Sequence, residues 1–194
     1  VVATAGTTDF GSIDPLPAIA HIAEREGLWL HVDAAYGGAL MLSDRLRPLL
    51  DGIDRADSLT VDFHKLFWQP ISASALLLRD RSAWELLRLH ADYLNPADAE
   101  ATGALDLVTK SIQTTRRFDS LKLFVSLRTL GRRRFAALIE QTVDLAAAVA
   151  AYIDVDPFFE RAAPTAINSV VFRCVDKAWS DATTDRVNAN VREQ

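Results

Sequence analysis

Apolar positions along the chain switch between a period of two and a period near 3.6, and the switching divides it into elements. Val1-Val2-Ala3-Thr4-Ala5 is a short β-rich run, and Gly6-Thr7-Thr8-Asp9-Phe10-Gly11 has the glycines and small polar residues of a loop. From Pro15 to Glu26, Leu16, Ile19, Ala20 and Ala23 recur at helical spacing, and Gly27 predicts the stop. Leu28 to Val32 predicts a second strand ending at Asp33, and Leu46 to Leu50 a short helix. Ser58 to Val61 and Ala75 to Leu78 predict two more strands, and Asp80 to His90 a helix. Asn95 to Gly103 is polar and predicts a mobile loop, while Leu105 to Gln113 fits neither period. Asp119 to Leu130 predicts a helix capped by Asp119 or Ser120 and stopped by Gly131, and Arg132 to Tyr152 a long Ala-rich helix. After Pro157 come short strand patterns near Phe159–Ala162 and Ser169–Val175, then a helix from Thr183.

Strands alternating with helices predict an α/β domain with a mostly parallel sheet. Parallel strands open their carboxyl ends on one edge, where ligands bind in such sheets. Thr7, Asp33 and Lys65 each follow a predicted strand, so this topology alone gathers them near one pocket. The change of texture between Tyr152 and Pro157 predicts a domain boundary: residues 1–152 as the C-terminal part of a large domain with its linking helix, residues 153–194 as the beginning of a small α+β domain. The chain opens directly in an apolar run without Met and closes in helix-like sequence, which reads as a segment of a longer protein.

Composition narrows the function classes. The 194 residues are 49% hydrophobic and 24% charged, enough for one domain with a sizeable core. A net charge of -5 and a pI near 5.3 argue against nucleic acid, whose phosphates call for a basic surface. The run Arg132-Arg133-Arg134 reads as a solvated helix face. Cys174 is the single cysteine and cannot form an internal disulfide, which fits a cytoplasmic protein; its apolar surroundings read as those of a buried, inert thiol. No apolar run reaches the length of a membrane span, and no signal peptide opens the chain.

The chemistry centres on Lys65, flanked by Phe63, Leu66, Phe67 and Trp68. A lysine among aromatics is either desolvated, and so an amine able to attack a carbonyl, or a surface residue snorkelling past its neighbours. Asp33 ends the nearly apolar run Leu28-Trp29-Leu30-His31-Val32 and needs a partner there. A pyridinium nitrogen is one such partner, a helix cap or an ion pair another. Ala34 and Ala35 are small enough for a flat ring to lie close, or simply for tight packing. His64 can donate to a phosphate or bond the backbone; the Thr7 and Thr8 hydroxyls can meet a ligand or cap a turn.

Four blocks in order carry a family resemblance: Ala3-Thr4-Ala5-Gly6-Thr7-Thr8; Trp29-Leu30-His31-Val32-Asp33-Ala34-Ala35-Tyr36-Gly37-Gly38; Ala56-Asp57-Ser58-Leu59-Thr60-Val61-Asp62-Phe63-His64-Lys65; and Gln113-Thr114-Thr115-Arg116-Arg117-Phe118-Asp119-Ser120-Leu121-Lys122-Leu123. Together they resemble the group II pyridoxal-phosphate-dependent amino-acid decarboxylases, which share the aspartate-aminotransferase fold (fold type I). The resemblance implies pyridoxal 5'-phosphate as cofactor, Lys65 as the Schiff-base lysine and Asp33 as partner of the pyridine nitrogen. It implies Ala35 against one ring face, His64 near the phosphate and Thr7 beside the ring or its hydroxyl. It further implies α-decarboxylation of an amino acid in a homodimer, with Arg116-Arg117-Phe118 following a mobile loop that covers the neighbouring subunit's site. The ring-stacking histidine and phosphate-holding loop of the family would precede Val1. Several relatives carry a tyrosine proton donor on the mobile loop, whereas here no tyrosine lies between Tyr93 and Tyr152, both His90 and Tyr93 reading as surface residues. Asp62 to Pro70 and Lys110 to Asp119 look most like diaminobutyrate and siderophore-pathway decarboxylases, which implies a basic substrate such as 2,4-diaminobutyrate or lysine, with Trp68 and Gln69 shaping the pocket or packing the core.

Overall fold

Long crossovers let successive strands run the same way, whereas a short return forces them antiparallel. The computed structural model describes residues 1–87, Leu107, Lys110, Ser111, Gln113 and residues 115–193. In it β1 (Val2–Thr4), β2 (His31–Asp33) and β3 (Ser58–Asp62) pair in parallel, and β4 (Ser74–Leu78) pairs antiparallel to β3. The β1–β2 crossover contains α1 (Leu16–Arg25), and three short 3-10 turns occupy the β2–β3 connection. The mostly parallel α/β architecture expected from the alternation of patterns is the one observed.

Period-two alternation assigns the faces. Ala3, Val32 and Val61 point into the core, joined by Leu16, Ala20 and Ala23 of α1. Thr4, His31, Asp33, Ser58, Thr60 and Asp62 occupy the alternate positions. Strand β2 is shorter than the apolar run predicted. The Leu28 N–H returns to the Ala23 carbonyl (2.8 Å), and the Leu30 N–H donates to the Asp57 carboxylate (2.8 Å) rather than to a neighbouring strand. The segment predicted as a helix from Asp80 to His90 is, in its described part, a 3-10 helix over Arg81–Leu87. The polar loop over residues 95–103, with His90 and Tyr93, lies outside the described residues.

The two helices expected either side of Gly131 form as α2 (Ser120–Val155), broken at that glycine, whose φ of 72° and ψ of 164° leave the helical region. The expected Asp119 cap does not form; its carboxylate instead binds Arg117 (2.7 Å) and Lys122 (2.8 Å). Beyond Gly131, α2 buries Phe135, Ile139, Ala146, Ala150 and Ile153 along one stripe. Polar contacts tie it to the β2–β3 connection: buried Ser43 donates to Glu140, and Arg45 reaches Asp144 (2.8 Å). Arg132 donates to the Leu42 carbonyl (2.9 Å) and pairs with Asp44, so of the basic run only Arg133 and Arg134 form a plain solvated face. By length and composition α2 could cross a membrane, because its alanine-rich turns give an 18-residue window of mean hydropathy 1.4. That corrects the expectation that no stretch reaches such a length.

Beyond α2, β5 (Phe159–Arg161) and β6 (Phe172–Cys174) form an antiparallel pair, followed by α3 (Asp181–Arg192), capped by the Ser180 hydroxyl. Cys174 is half-buried rather than buried, since its two-stranded sheet has little to cover it.

Phe135 is 1% exposed and meets the rings of Phe67 (6.5 Å) and Trp68 (6.4 Å) between centroids. Phe135→Ala is expected to lower stability by about 3–5 kcal/mol through the cavity it leaves, as read from urea denaturation.

Candidate active site

The ladder continues past the strand ends and fixes the carboxyl edge. Thr4, Asp33 and Thr60 lie in register across β1, β2 and β3. The Ala5 N–H donates to the Asp33 carbonyl (2.8 Å), the Ala34 N–H to the Thr60 carbonyl (3.0 Å), and the Asp62 N–H to the Ala35 carbonyl (3.2 Å). Asp33, Ala34, Ala35 and Asp62 are thereby held at one edge, as the topology predicted for Asp33. The turn after Asp33 also sits on β1: the Gly37 N–H donates to the Ala5 carbonyl (2.9 Å), and a Cβ at Gly37 would stand 2.3 Å from that oxygen. Glycine is the one residue type that permits this approach.

Asp33 is half-buried, and its Oδ1 accepts the Ala35 N–H (3.0 Å). Among the described residues no cation pairs with this carboxylate. Ala34 is fully buried, while Ala35 remains partly open. Thr7 adopts the turn role considered for it: its hydroxyl oxygen accepts the Ser12 N–H (3.0 Å), and its hydroxyl proton is left free to donate elsewhere.

Of the two settings open to Lys65, the structure takes the surface one. The chain turns sharply after β3, with the Trp68 N–H on the Lys65 carbonyl (2.9 Å) and the Gln69 N–H on the Phe63 carbonyl (3.0 Å). That turn drives Leu66 and Phe67 into the core and leaves the Lys65 side chain 39% exposed, its Nζ 3.1 Å from Asp62 Oδ2. Trp68 is exposed and stacks on Phe135, while Gln69 is buried, donating to the Phe67 carbonyl (2.8 Å) and accepting from Ser126 (3.0 Å).

His64 Nδ1 sits 3.0 Å from the Ala73 carbonyl and 3.3 Å from the Ala73 nitrogen. The Nδ1–H form donates to the first; the Nε2–H form accepts from the second and keeps a free donor at Nε2. That nitrogen is 3.7 Å from Asp62 Oδ2.

Asp62 is the residue that the sequence reading passed over, although it ends a strand as Asp33 does. Its Oδ1 accepts from the Ser74 hydroxyl (2.6 Å), and its Oδ2 faces both Lys65 and His64. Burial alone would raise its pKa, but Ser74, Lys65 and His64 outweigh that and hold the carboxyl below its ordinary range. Also unforeseen, the Tyr36 hydroxyl donates to Asn168 (2.6 Å), and Ile167 packs where a Cβ on Gly6 would meet it at 3.2 Å. The segment after β5 thus backs the first site loop. From the other side, Arg117 donates to the Ile71 carbonyl (2.9 Å) and Lys122 to the Pro70 carbonyl (2.8 Å), bracing the loop beyond Lys65. Arg116 and Phe118 are exposed.

At this edge the Asp33 carboxylate holds the Ala35 N–H, and Asp62, bonded to the Ala35 carbonyl, faces the Lys65 amine and the His64 imidazole. The family model described as the pyridoxal-dependent decarboxylase conserved domain matches residues 1–175. The chain belongs to that family. It is 44% identical over 194 residues to the L-2,4-diaminobutyrate decarboxylase of Acinetobacter baumannii, covering 100% of this chain and 38% of the relative. It is 47% identical over 192 residues to the enzyme of that name from Rhizobium meliloti (strain 1021), covering 97% of this chain and 39% of the relative. Among solved structures, Oryza sativa TDC with PLP and tryptamine superposes with a TM-score of 0.89 at 30% identity, covering 100% of this chain and 40% of that one. The chain therefore spans about two fifths of the length of the curated relatives it matches.

Asp119, like Asp62, titrates below the ordinary carboxylate range, held there first by its hydrogen bond to Lys122 and then by Arg117. A depressed folded-state pKa adds stability above the unfolded value of about 4, and this is lost as pH falls through the folded value. Asp119→Asn is therefore expected to lower the melting temperature near neutral pH, with the deficit vanishing in acid below about pH 4. A deficit that stays constant across that range would contradict the role given to this ion pair.

Proposed function

We infer that the protein is a pyridoxal-phosphate-dependent carboxy-lyase that converts an L-amino acid into an amine and carbon dioxide, with 2,4-diaminobutyrate as foremost substrate. The observation that carries this reading is the carboxyl edge of the parallel sheet, where Asp33 stands unpaired by any described cation and Lys65 follows the neighbouring strand, in a chain of this family. The two diaminobutyrate decarboxylases matched over nearly the whole chain support the substrate, with lysine the second basic candidate.

The residues fit the cofactor. Asp33, with Oδ1 held by the Ala35 N–H, keeps Oδ2 to hold a proton on the ring nitrogen. Ala35 offers a flat contact, Lys65 an amine to anchor the group, and His64 Nε2 a donor for its phosphate. Thr7 supplies a hydroxyl proton. When bound, the cofactor would act as the electron sink for the pair released as carbon dioxide departs. Asp33 stabilises that charge by keeping the nitrogen protonated, and Lys65 yields its place to the substrate amine. We also infer a homodimer, supported by the family resemblance of Arg116 to Phe118, and a cytoplasmic location, supported by the single half-buried cysteine.

The test is a product assay of the complete polypeptide against basic, acidic and aromatic amino acids. Carbon dioxide and 1,3-diaminopropane from 2,4-diaminobutyrate are expected. A keto acid instead would mean transamination, and turnover only of an aromatic or acidic substrate would overturn the substrate assignment. Lys65→Ala is expected to abolish both the absorbance band of bound cofactor and turnover. Asp33→Ala is expected to retain some cofactor and lose roughly 100- to 1000-fold in rate, the effect of removing one electrostatic partner of a developing charge. Unchanged turnover in either variant would refute its role.

A further inference from the structure

The Lys65 amine has a carboxylate partner on its own strand end. Asp62 Oδ2 lies 3.1 Å from its Nζ, with Oδ1 fastened by the Ser74 hydroxyl at 2.6 Å. The carboxylate cannot drift with the amine, because the Asp62 N–H is bonded to the Ala35 carbonyl (3.2 Å) and Ser74 stands opposite Asp62 in the β3–β4 ladder. At 19% side-chain exposure it is also more sheltered than the lysine at 39%. The geometry is that of a fixed acceptor and a movable cation, the acceptor being the last residue of the strand that carries Thr60 beside Asp33.

We propose that Asp62 is a positioning residue that parks the Lys65 amine at the end of β3 in the cofactor-free protein, and that cofactor capture requires this ion pair to open. The proposal rests on the reading of Lys65 as the cofactor's anchor. An ammonium held on a carboxylate is not a nucleophile; the neutral amine is. On capture the ammonium loses one proton to solvent and its nitrogen bonds the aldehyde carbon. The two remaining nitrogen protons then leave with the aldehyde oxygen as water. Asp62, still fastened by the Ser74 hydroxyl, stays behind at the end of β3. Parking holds the amine on the carboxylate at the end of β3 and restricts the orientations of an otherwise partly exposed side chain.

The test uses the complete polypeptide stripped of cofactor, with a lysine-acylating reagent and site-resolved mass spectrometry. Lys122, bonded to Asp119 and to the Pro70 carbonyl, serves as an internal reference. Asp62→Asn is expected to raise the labelling rate of Lys65 roughly two- to fivefold, the factor that an ion pair at a partly exposed site is worth, with Lys122 unchanged. Ser74→Ala, which loosens the carboxylate without removing it, is expected to raise Lys65 labelling by less and serves where Asp62→Asn fails to fold. Unchanged Lys65 labelling in a folded variant, or a parallel rise at Lys122 that marks general loosening, would overturn the proposal. Pyridoxal phosphate is expected to protect Lys65 of the unsubstituted protein. Failure of that protection, with the Asp62→Asn effect intact, would overturn the anchor reading and leave the ion pair standing.

Discussion

The register that sets Thr4, Asp33 and Thr60 side by side governs everything at the carboxyl edge. Period-two alternation means that a slip of one residue in β2 would send Asp33 into the core and Val32 out of it. Val32 is fully buried, so the apolar side of the sheet resists that slip. The polar side adds its own constraint: His31 lies between the Ser58 (2.7 Å) and Thr60 (3.1 Å) hydroxyls, and the Trp29 indole donates to Ser58 (2.8 Å). Both faces of β2 therefore specify one register, and the position of the Asp33 carboxylate follows from it.

Much of this was legible in the sequence because the signals were periodic. The helix from Leu16 and the strands at Val2, Ser58 and Ser74 follow from spacing, and the break at Gly131 from the residue type. The strand-end argument brought Asp33 and the turn bearing Lys65 to a common edge without knowledge of any relative. What the sequence did not reveal depends on which way a turn faces. The same aromatic neighbours would bury or expose Lys65 according to the turn at residues 65–69, and this is set by backbone hydrogen bonds rather than by composition. Asp62 was overlooked for a related reason. The Ser74 hydroxyl that fastens it reaches it only when β4 folds back, and the turn alone brings the Lys65 amine round to its other oxygen. The Tyr36–Asn168 bond, 132 positions apart along the chain, was beyond any local pattern.

Breaking α2 at Gly131 separates two tasks that one straight helix could not perform. The half beyond the glycine is anchored to the large core through Phe135 and Ile139, and to the β2–β3 connection through Glu140 and Asp144. The half before it faces the loop after Lys65, with Lys122 on the Pro70 carbonyl and Ser126 on Gln69, while Arg117 just ahead of the helix reaches the Ile71 carbonyl. A loop rich in backbone carbonyls and poor in its own ladder bonds needs outside donors, and these come from Arg117 and Lys122. The position of the Lys65 turn is thus determined twice, by β3 from within and by the start of α2 from without. Any displacement of that first half of α2 must change the carbonyl contacts at Pro70 and Ile71. Through the Gln69 N–H on the Phe63 carbonyl, it would then alter the placement of the amine on which the chemistry turns.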